Sequence, residues 1–318
     1  MTPRKAATFA LFVALTIYAG KNAHSNNSLF PLGPGFTLSD SVGEFSLTYF
    51  TVDNLIVLPF LINGNVRVNL ILDTGCQTLI LFGKRYEQMF DIVPDFRVTF
   101  SGMGNGKPAV GSVSLQNTVT LGPLEGEHIP IVIVPGKKVL RRHLQVDGLI
   151  GYDLFTRFEI ELHPIRQEII FRSAFNRTLP RDYHHIPLSL SHHRPTINAT
   201  FALPDREVSA EMLVDTGSTL YVLLKSSDKE HLTSKTGKET LGMGINGIIS
   251  GSRTIAQRLH LHEYTATDVP VAITYSPWHD YASVGMAFLK NYSVIINYVQ
   301  GYIGLREPEE PIVAEEIL

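Results

Sequence analysis

Two acidic residues stand in the middle of apolar segments, and each opens the same triplet. Asp73 lies in LILDTGCQTLILF (70–82), and Asp215 lies in MLVDTGSTLYVLL (212–224). A buried carboxylate is costly unless it has hydrogen-bond donors, an opposite charge or a shared proton. Two copies of one loop supply the shared proton if they meet, because adjacent carboxyls do not both ionise at low cost. Such a pair can take a proton from water while it donates one to a carbonyl oxygen, and this chemistry hydrolyses peptide bonds.

The residues that follow each Asp suit this arrangement. The glycines allow a tight turn in which backbone N–H groups approach the carboxyls. The threonine hydroxyls can hydrogen-bond across a pseudo-twofold axis and so hold the two loops together. The predicted supporting residues are Thr74, Gly75, Cys76, Thr216, Gly217 and Ser218.

The two triplets belong to an internal duplication. Each is followed by a glycine-rich turn, an apolar strand and an apolar segment with a central Gly, in the same order. These segments read SGMGNG, HIPIVIV and GLIGYDLFTRFEIEL in the first copy, and LGMGING, DVPVAIT and ASVGMAFLKNYSVII in the second. A repeat of this kind decides the architecture. It predicts homologous halves over 45–172 and 183–306, joined by a polar, proline-containing linker over 173–182.

Both halves are predicted to be mostly strand. Short runs rich in Val, Ile, Leu and aromatic residues alternate with Gly, Pro or Asn. Helical periodicity is scarce, and the best short helices begin at Gly151 and Gly285. The predicted fold class is therefore mostly β, with two homologous β-barrel lobes related by a pseudo-twofold axis and a cleft between them.

Composition limits the function classes. The chain has 318 residues, 44% of them hydrophobic, which is enough for a large core. Its net charge of −3 comes from 27 basic and 30 acidic residues spread along the chain, which argues against nucleic-acid binding. With the single cysteine, Cys76, no internal disulfide can form.

The N-terminus is typical of an export signal. Arg4 and Lys5 precede an uncharged apolar run that is short for a membrane span. We expect a signal peptide over 1–25, with an uncleaved N-terminal membrane anchor as the alternative, followed by a polar linker over 26–44. The acidic end, 307–318, is predicted to be a flexible tail. The expected location is the bacterial periplasm or cell envelope; four Asn-x-Ser/Thr matches keep a secreted eukaryotic protein open.

With these motifs the chain resembles the aspartic proteases of the pepsin and retropepsin clan, from about residue 45 to 306. In that clan each Asp-Thr-Gly loop lies beneath a strand that ends in two apolar residues and Gly. Leu149-Ile150-Gly151 matches this element, whereas Ser283-Val284-Gly285 departs at its first position. The resemblance implies that Asp73 and Asp215 are catalytic.

The resemblance also implies that the two carboxyls differ. The residue after the triplet is usually Ser, Thr or Ala in the clan, and a hydroxyl there can bond the outer oxygen of the Asp. A thiol is a weaker donor than a hydroxyl. Cys76 in one loop and Ser218 in the other therefore predict inequivalent carboxyls. A nucleophilic Cys76 is the competing reading, but no histidine motif accompanies it.

Glycine-rich turns about 30 residues past each Asp resemble the flaps of a retropepsin dimer fused into one chain. The region between Thr99 and Leu115 lacks the Tyr that marks a pepsin flap. A substrate is expected to lie extended in the cleft and to pair its backbone with the flap strands. The predicted flap and substrate-binding residues are Met103, Gly104, Asn105, Gly106, Met243, Gly244, Asn246 and Gly247.

The combined prediction is an aspartic endopeptidase that acts on peptides or proteins as a monomer, without metal or organic cofactor. A non-catalytic peptide-binding or sensing module is the alternative from another class. Four histidines in DYHHIPLSLSHHRP invite a metal site, but neighbouring strand residues point to opposite faces, so we expect them on the solvated surface. These are His184, His185, His192 and His193.

Overall fold

The computed structural model describes residues 11–12, 16–19, 35–39, 42–101, 107–136, 145–226, 239–245, 247–275 and 281–308. Strands account for most of them, so the mostly-β prediction is confirmed. Helical structure in this part of the chain consists of a 3-10 helix, Lys84–Gln88, and two short α-helices, α1 (Tyr152–Phe155) and α2 (Met286–Leu289). Both α-helices begin directly after the predicted glycines, Gly151 and Gly285.

Within the described ranges, twenty-five strands follow one another. Those up to residue 173 are β1 (Leu11–Phe12), β2 (Thr16–Ala19), β3 (Gly35–Leu38), β4 (Glu44–Thr48), β5 (Phe50–Val52), β6 (Leu55–Ile62), β7 (Val66–Leu72), β8 (Leu79–Phe82), β9 (Arg97–Ser101), β10 (Ala109–Leu121), β11 (Leu124–Val134), β12 (Gly148–Ile150), β13 (Phe158–His163) and β14 (Glu168–Ser173). The later ones are β15 (His184–Pro187), β16 (Ser189–Ser191), β17 (Arg194–Ala202), β18 (Glu207–Asp215), β19 (Val222–Ser226), β20 (Glu239–Gly244), β21 (Gly247–Leu261), β22 (Tyr264–Tyr275), β23 (Tyr281–Gly285), β24 (Ser293–Asn297) and β25 (Tyr302–Arg306).

Two large sheets have the same strand order, so the duplication seen in the sequence is also present in the fold. The first sheet runs β9-β10-β11-β8-β12-β7-β6-β5, and the second runs β20-β21-β22-β19-β23-β18-β17-β16. The correspondence extends to single residues, because His128 within β11 and Asp268 within β22 both take a positive φ, 54° and 53°, at the first residue of the repeated apolar segment. One cluster of buried apolar side chains extends through both halves.

The region predicted as a polar linker contains strand β3. Its residues pair with β11 in register from Gly35↔Glu127 to Leu38↔Leu124, and Phe36 is buried in the core. The linker prediction therefore missed part of the first sheet. A four-residue segment such as GFTL has too short a pattern to reveal a partner nearly ninety residues away.

A third sheet joins the halves. Its six strands run β15-β25-β24-β13-β14-β4, all antiparallel, with three strands from each half. At its centre β13 pairs with β24, for example Ile160 with Ile296. This main-chain ladder fixes the position of one half against the other. No helix in the described ranges is both long enough and apolar enough to cross a membrane.

A buried polar network is formed by side chains of this joining sheet, from β13 and β14, together with Tyr183. The Glu161 carboxylate accepts hydrogen bonds from Tyr183 and Arg172 and forms an ion pair with His163. Burial alone would raise the pKa of Glu161, but the bonds from His163, Arg172 and Tyr183 outweigh it and lower that pKa to about 2. The ionised carboxylate is therefore part of the folded interface.

Replacing Glu161 with Gln should lower the free energy of unfolding by about 2 to 3 kcal/mol at pH 7, because buried charged donors lose their acceptor. The pKa of Glu161 is lower in the folded state, so its contribution is full above about pH 4.5 and is lost as the pH falls toward 2. The difference between the wild type and the variant should shrink over that range. Denaturant unfolding at several pH values measures it.

The matched control is Glu168→Gln on β14, whose partner Arg166 is mostly exposed. Such a surface pair contributes at most about 1 kcal/mol. Equal losses in the two variants would show that the Glu161 network does not stabilise the joining sheet.

Candidate active site

Each Asp-Thr-Gly loop begins at the buried end of a strand. Asp73 follows β7, whose last residues are buried, and its N–H donates to the carbonyl oxygen of Ile150 at 2.8 Å. Asp215 ends β18 and pairs with Gly285 of β23. Both predicted apolar-Gly elements thus support their loops, including the second one, whose first position departs from the pattern. Both Asp side chains are 0% exposed.

The two carboxyls lie at a contact between the loops. Oδ1 of Asp73 accepts the Gly75 N–H at 2.7 Å, and Oδ1 of Asp215 accepts the Gly217 N–H at 3.1 Å. A Cβ built on Gly217 would lie 2.4 Å from Cγ of Asp73. Gly217 therefore packs directly on the carboxyl of the other half, and a larger residue there would displace it. Oδ2 of each Asp has no hydrogen-bond partner among the described residues.

The threonines hold the loops together across the pseudo-twofold axis. Thr74 Oγ1 donates to the carbonyl of Val214 at 2.6 Å and accepts the Thr216 N–H at 3.0 Å. Thr216 Oγ1 donates to the carbonyl of Leu72 at 2.7 Å and accepts the Thr74 N–H at 3.0 Å. Each hydroxyl thus satisfies two buried backbone groups of the opposite half, and the two sets of bonds mirror each other.

The residues after the triplets behave differently from what the resemblance implied. The Cys76 thiol donates to the Thr78 carbonyl at 2.9 Å, and Ser218 Oγ accepts the Leu220 N–H at 3.3 Å. Neither side chain is a donor to the outer carboxylate oxygens, which are unpartnered in this part of the chain. Burial and the charge of Asp73 raise the pKa of the Cys76 thiol, which makes a nucleophilic thiolate unfavourable.

Burial dominates the electrostatics of the pair. It raises the pKa of Asp73 well above its ordinary value, and the charge of Asp215 raises it further. Burial also raises the pKa of Asp215, to about 6, against the Gly217 hydrogen bond and the positive charges of Arg194 and Lys225, which lower it. Burial and mutual repulsion therefore keep a proton on the pair at a higher pH than an isolated, exposed carboxyl would. One carboxylate and one carboxylic acid can act as base and acid in the same reaction.

Arg194 was not predicted from the sequence. It begins β17, and its charge lowers the pKa of both Asp73 and Asp215. The strand registers make it equivalent to Leu55 of the first half, since Val57 pairs with Ile71 and Thr196 pairs with Leu213. The duplication could have indicated it as a position where an apolar residue in one copy is replaced by a charged one in the other.

Tyr298 was missed as well. Its hydroxyl donates to the Thr74 carbonyl at 3.1 Å, and its ring stacks on Phe155 with the centroids 5.1 Å apart. It thereby attaches the turn after β24 to the Asp73 loop of the other half. No motif marks this residue, because its partner lies far away in the sequence.

The structure describes only some of the predicted flap residues. Met243 and Gly244 end β20, and Gly247 begins β21 with a φ of 106°, a conformation that suits glycine. These two strands form a hairpin equivalent to β9–β10. Asn246 and the first-half residues Met103, Gly104, Asn105 and Gly106 lie outside the described residues.

The four histidines considered for metal binding occupy two separate elements. His184 and His185 lie on β15, whereas His192 and His193 form the turn between β16 and β17. This turn contacts the first half, because Gln77 donates to the His192 carbonyl and Tyr152 hydrogen-bonds His193. Among the described residues, no group of three or more His, Cys, Asp or Glu side chains could hold a metal ion.

Comparison with known proteins now adds to this geometry. A family model described as aspartyl protease matches residues 58–154 and 199–288, one region in each half and together more than half of the chain. The chain belongs to the aspartyl protease family. The resemblance seen in the sequence and the two-lobed fold class are thereby confirmed, and the two separate matches agree with the duplication. A comparison with curated proteins gave no match.

Replacing Thr216 with Val should lower the free energy of unfolding by about 2 to 4 kcal/mol, because the Thr74 N–H and the Leu72 carbonyl would stay buried without a partner. The shape of the side chain is nearly unchanged, so packing contributes little to the loss. Thr200→Val is the control, since that hydroxyl bonds only the exposed Ser209 side chain among the described residues. A Thr216 variant as stable as the control would refute the role of these bonds.

Proposed function

We propose that the chain is an aspartic endopeptidase that hydrolyses peptide bonds with a water activated between Asp73 and Asp215. The observation that carries the proposal is the meeting of two buried carboxyls from duplicated loops, each with one oxygen held by a glycine N–H and one oxygen left without a protein partner. Membership of the aspartyl protease family supports the same reaction class.

The shared proton gives the two carboxyls complementary roles. The ionised member of the pair would take a proton from water, and the protonated member would donate its proton to the carbonyl oxygen of the substrate. The product is a tetrahedral gem-diol, which collapses when the C–N bond breaks and the leaving nitrogen takes a proton. No covalent enzyme intermediate is needed.

The surrounding residues would orient this pair. Cross-bonds between Thr74 and Thr216 fix the loops, and the glycine N–H groups hold the inner carboxylate oxygens. Arg194 opposes the increase in pKa that burial causes. A peptide or protein substrate would lie extended between the halves, and one chain supplies both carboxyls, so a monomer would suffice. Export by the N-terminal segment stays a prediction.

The first test is replacement of each Asp by Asn. Asp73→Asn and Asp215→Asn should each reduce cleavage of a diverse peptide mixture by at least about a thousandfold, since the pair loses its base or its acid. Peptide products are measured by mass spectrometry.

Asp153→Asn is the matched control. Asp153 is also a buried carboxyl, its Oδ2 has no partner among the described residues, and burial raises its pKa to about 7, but it stands outside the pair. This variant should keep most of the activity. Undiminished cleavage by Asp215→Asn would contradict the mechanism. Binding of a transition-state-mimicking peptide without any hydrolysis by the wild type would favour the peptide-binding module instead.

The second test is the pH dependence of kcat/KM. Activity requires one proton on the pair, so it should rise as the pH increases through about 6, where the pair first ionises, and fall at higher pH when the pair loses its second proton. Lys225→Gln removes a positive charge that lowers the pKa of Asp215, so its acidic limb should shift to higher pH. Lys84→Gln, at an exposed position, is the control. An acidic limb that does not move in Lys225→Gln would contradict this electrostatic coupling.

A further inference from the structure

Arg194 lies beside Asp215 on one face of the second large sheet. Thr196 pairs with Leu213 in the β17–β18 ladder, and continuing this register by two residues brings Arg194 level with Asp215. Paired residues of neighbouring strands point to the same face of a sheet, and their Cα atoms are about 5 Å apart. The guanidinium therefore extends from the face that also carries the Asp215 carboxyl.

Lys225 belongs to the same face. Leu213 pairs with Ser283 of β23, and Ser283 pairs with Leu223 of β19. Lys225 comes two residues after Leu223, so its side chain points to the same face. Lys225 and Arg194 are both half-buried. Burial and the charge of Arg194 lower the pKa of Lys225 to about 8, which agrees with two cations in one region.

The hairpin tip before Arg194 reaches the first half. Gln77, four residues after Asp73, donates to the His192 carbonyl at 2.7 Å. Arg194 follows two residues later, so it lies between the two Asp-Thr-Gly loops, and its charge lowers the pKa of both Asp73 and Asp215. Nε of Arg194 is buried and has no hydrogen-bond partner among the described residues.

The first half has apolar residues at both equivalent positions. Leu55 corresponds to Arg194. Phe82 corresponds to Lys225, since each pairs with the last residue of the repeated apolar segment in its own half. Two replacements of the same kind thus concentrate positive charge on one side of the carboxyls. An extended peptide places different side chains on the two sides of its scissile bond, so such an asymmetry can select among substrates.

The balance of charge on this face favours an anion. Two carboxyls that share one proton carry one negative charge, whereas Arg194 and Lys225 bring two positive charges. The other acidic residues of β18, Glu207 and Glu211, are exposed and lie at least four residues from Asp215, about 13 Å along the strand. Half-buried positive charges attract an anion more strongly than charges in bulk water do.

The guanidinium also has the matching geometry. A carboxylate binds Arg through two parallel N–H···O bonds, and Nε is one of the donors that form them. We infer that Arg194 and Lys225 form a subsite for a carboxylate of the substrate within about two residues of the scissile bond, on the side of the second half. This carboxylate belongs to an Asp or Glu side chain or to the C-terminus of a short peptide. The substrate class rests on the proposed function, whereas carboxylate binding does not require turnover.

The experiment compares matched peptides with amidated C-termini. They differ only by Glu or Gln at one position within two residues of a bond that the wild type cleaves. The wild type should cleave the best Glu peptide with a kcat/KM about tenfold above that of its Gln partner. Arg194→Gln should reduce this ratio to about two or less, and Arg194→Lys, which keeps the charge, should give a higher ratio than Arg194→Gln. A ratio within one variant cancels any effect of Arg194 on the pKa of the two carboxyls.

Arg258→Gln is the matched control. Arg258 is exposed on β21 and pairs with Ala202, at the opposite end of β17 from Arg194. This variant should keep the wild-type ratio. The same peptides with a free C-terminus identify the source of the carboxylate: a gain that follows the free C-terminus instead of Glu assigns the subsite to a terminal carboxylate.

A titration makes binding independent of catalysis. The Glu and Gln peptides are titrated against the chain with Asp215→Asn and against the chain with Asp215→Asn and Arg194→Gln. The first chain should bind the Glu peptide about tenfold more tightly than the Gln peptide, and the second should bind both alike.

The outcomes separate the two proposals. If peptides are cleaved, but Glu and Gln, and free and amidated C-termini, give equal rates and equal affinities, the inference is overturned and the proposed function stands. A preference for Glu that Arg194→Gln leaves unchanged also overturns the inference. If no chain cleaves any peptide, but the titration discriminates Glu from Gln through Arg194, the carboxylate subsite stands and the peptidase function falls.

Discussion

Two carboxyls buried at one point constrain the whole molecule. Neither Asp73 nor Asp215 could stay in its apolar strand end alone, because an isolated buried charge is too costly. Each needs the other to share a proton, and each needs a glycine N–H to hold its inner oxygen. The duplicated sheets, the threonine cross-bonds and the joining sheet all serve to bring these groups to the same place.

The two halves make equivalent bonds to the backbone of the two loops, but they differ in some of the side chains around the carboxyls. Thr74 and Thr216 make the same bonds in both directions, since these satisfy main-chain groups that any departure would leave unpaired. In the first half, the position equivalent to Arg194 is occupied by the uncharged Leu55. Such a charge on one side gives the two carboxyls different surroundings, which a homodimer of identical halves could not do.

The sequence predicted those features that depend on local pattern. The Asp-Thr-Gly loops, the duplication, the mostly-β class and the helices after Gly151 and Gly285 all follow from motifs or from strand periodicity. Strand β3 and the Tyr298 hydroxyl could not be predicted, since both depend on partners far away in the chain. The hydrogen bonds of Cys76 and Ser218 were also out of reach, because short side chains in a tight loop choose among several nearby backbone groups.

The contact between Tyr298 and Thr74 also bears on when the centre forms. The two residues are 224 positions apart, and the strands next to Tyr298 complete the joining sheet from the far end of the chain. Contacts so distant in sequence form late and slowly in folding. A nascent chain therefore cannot hold the Asp73 loop in its final position, and the two carboxyls are brought into their folded arrangement only when the last strands are in place.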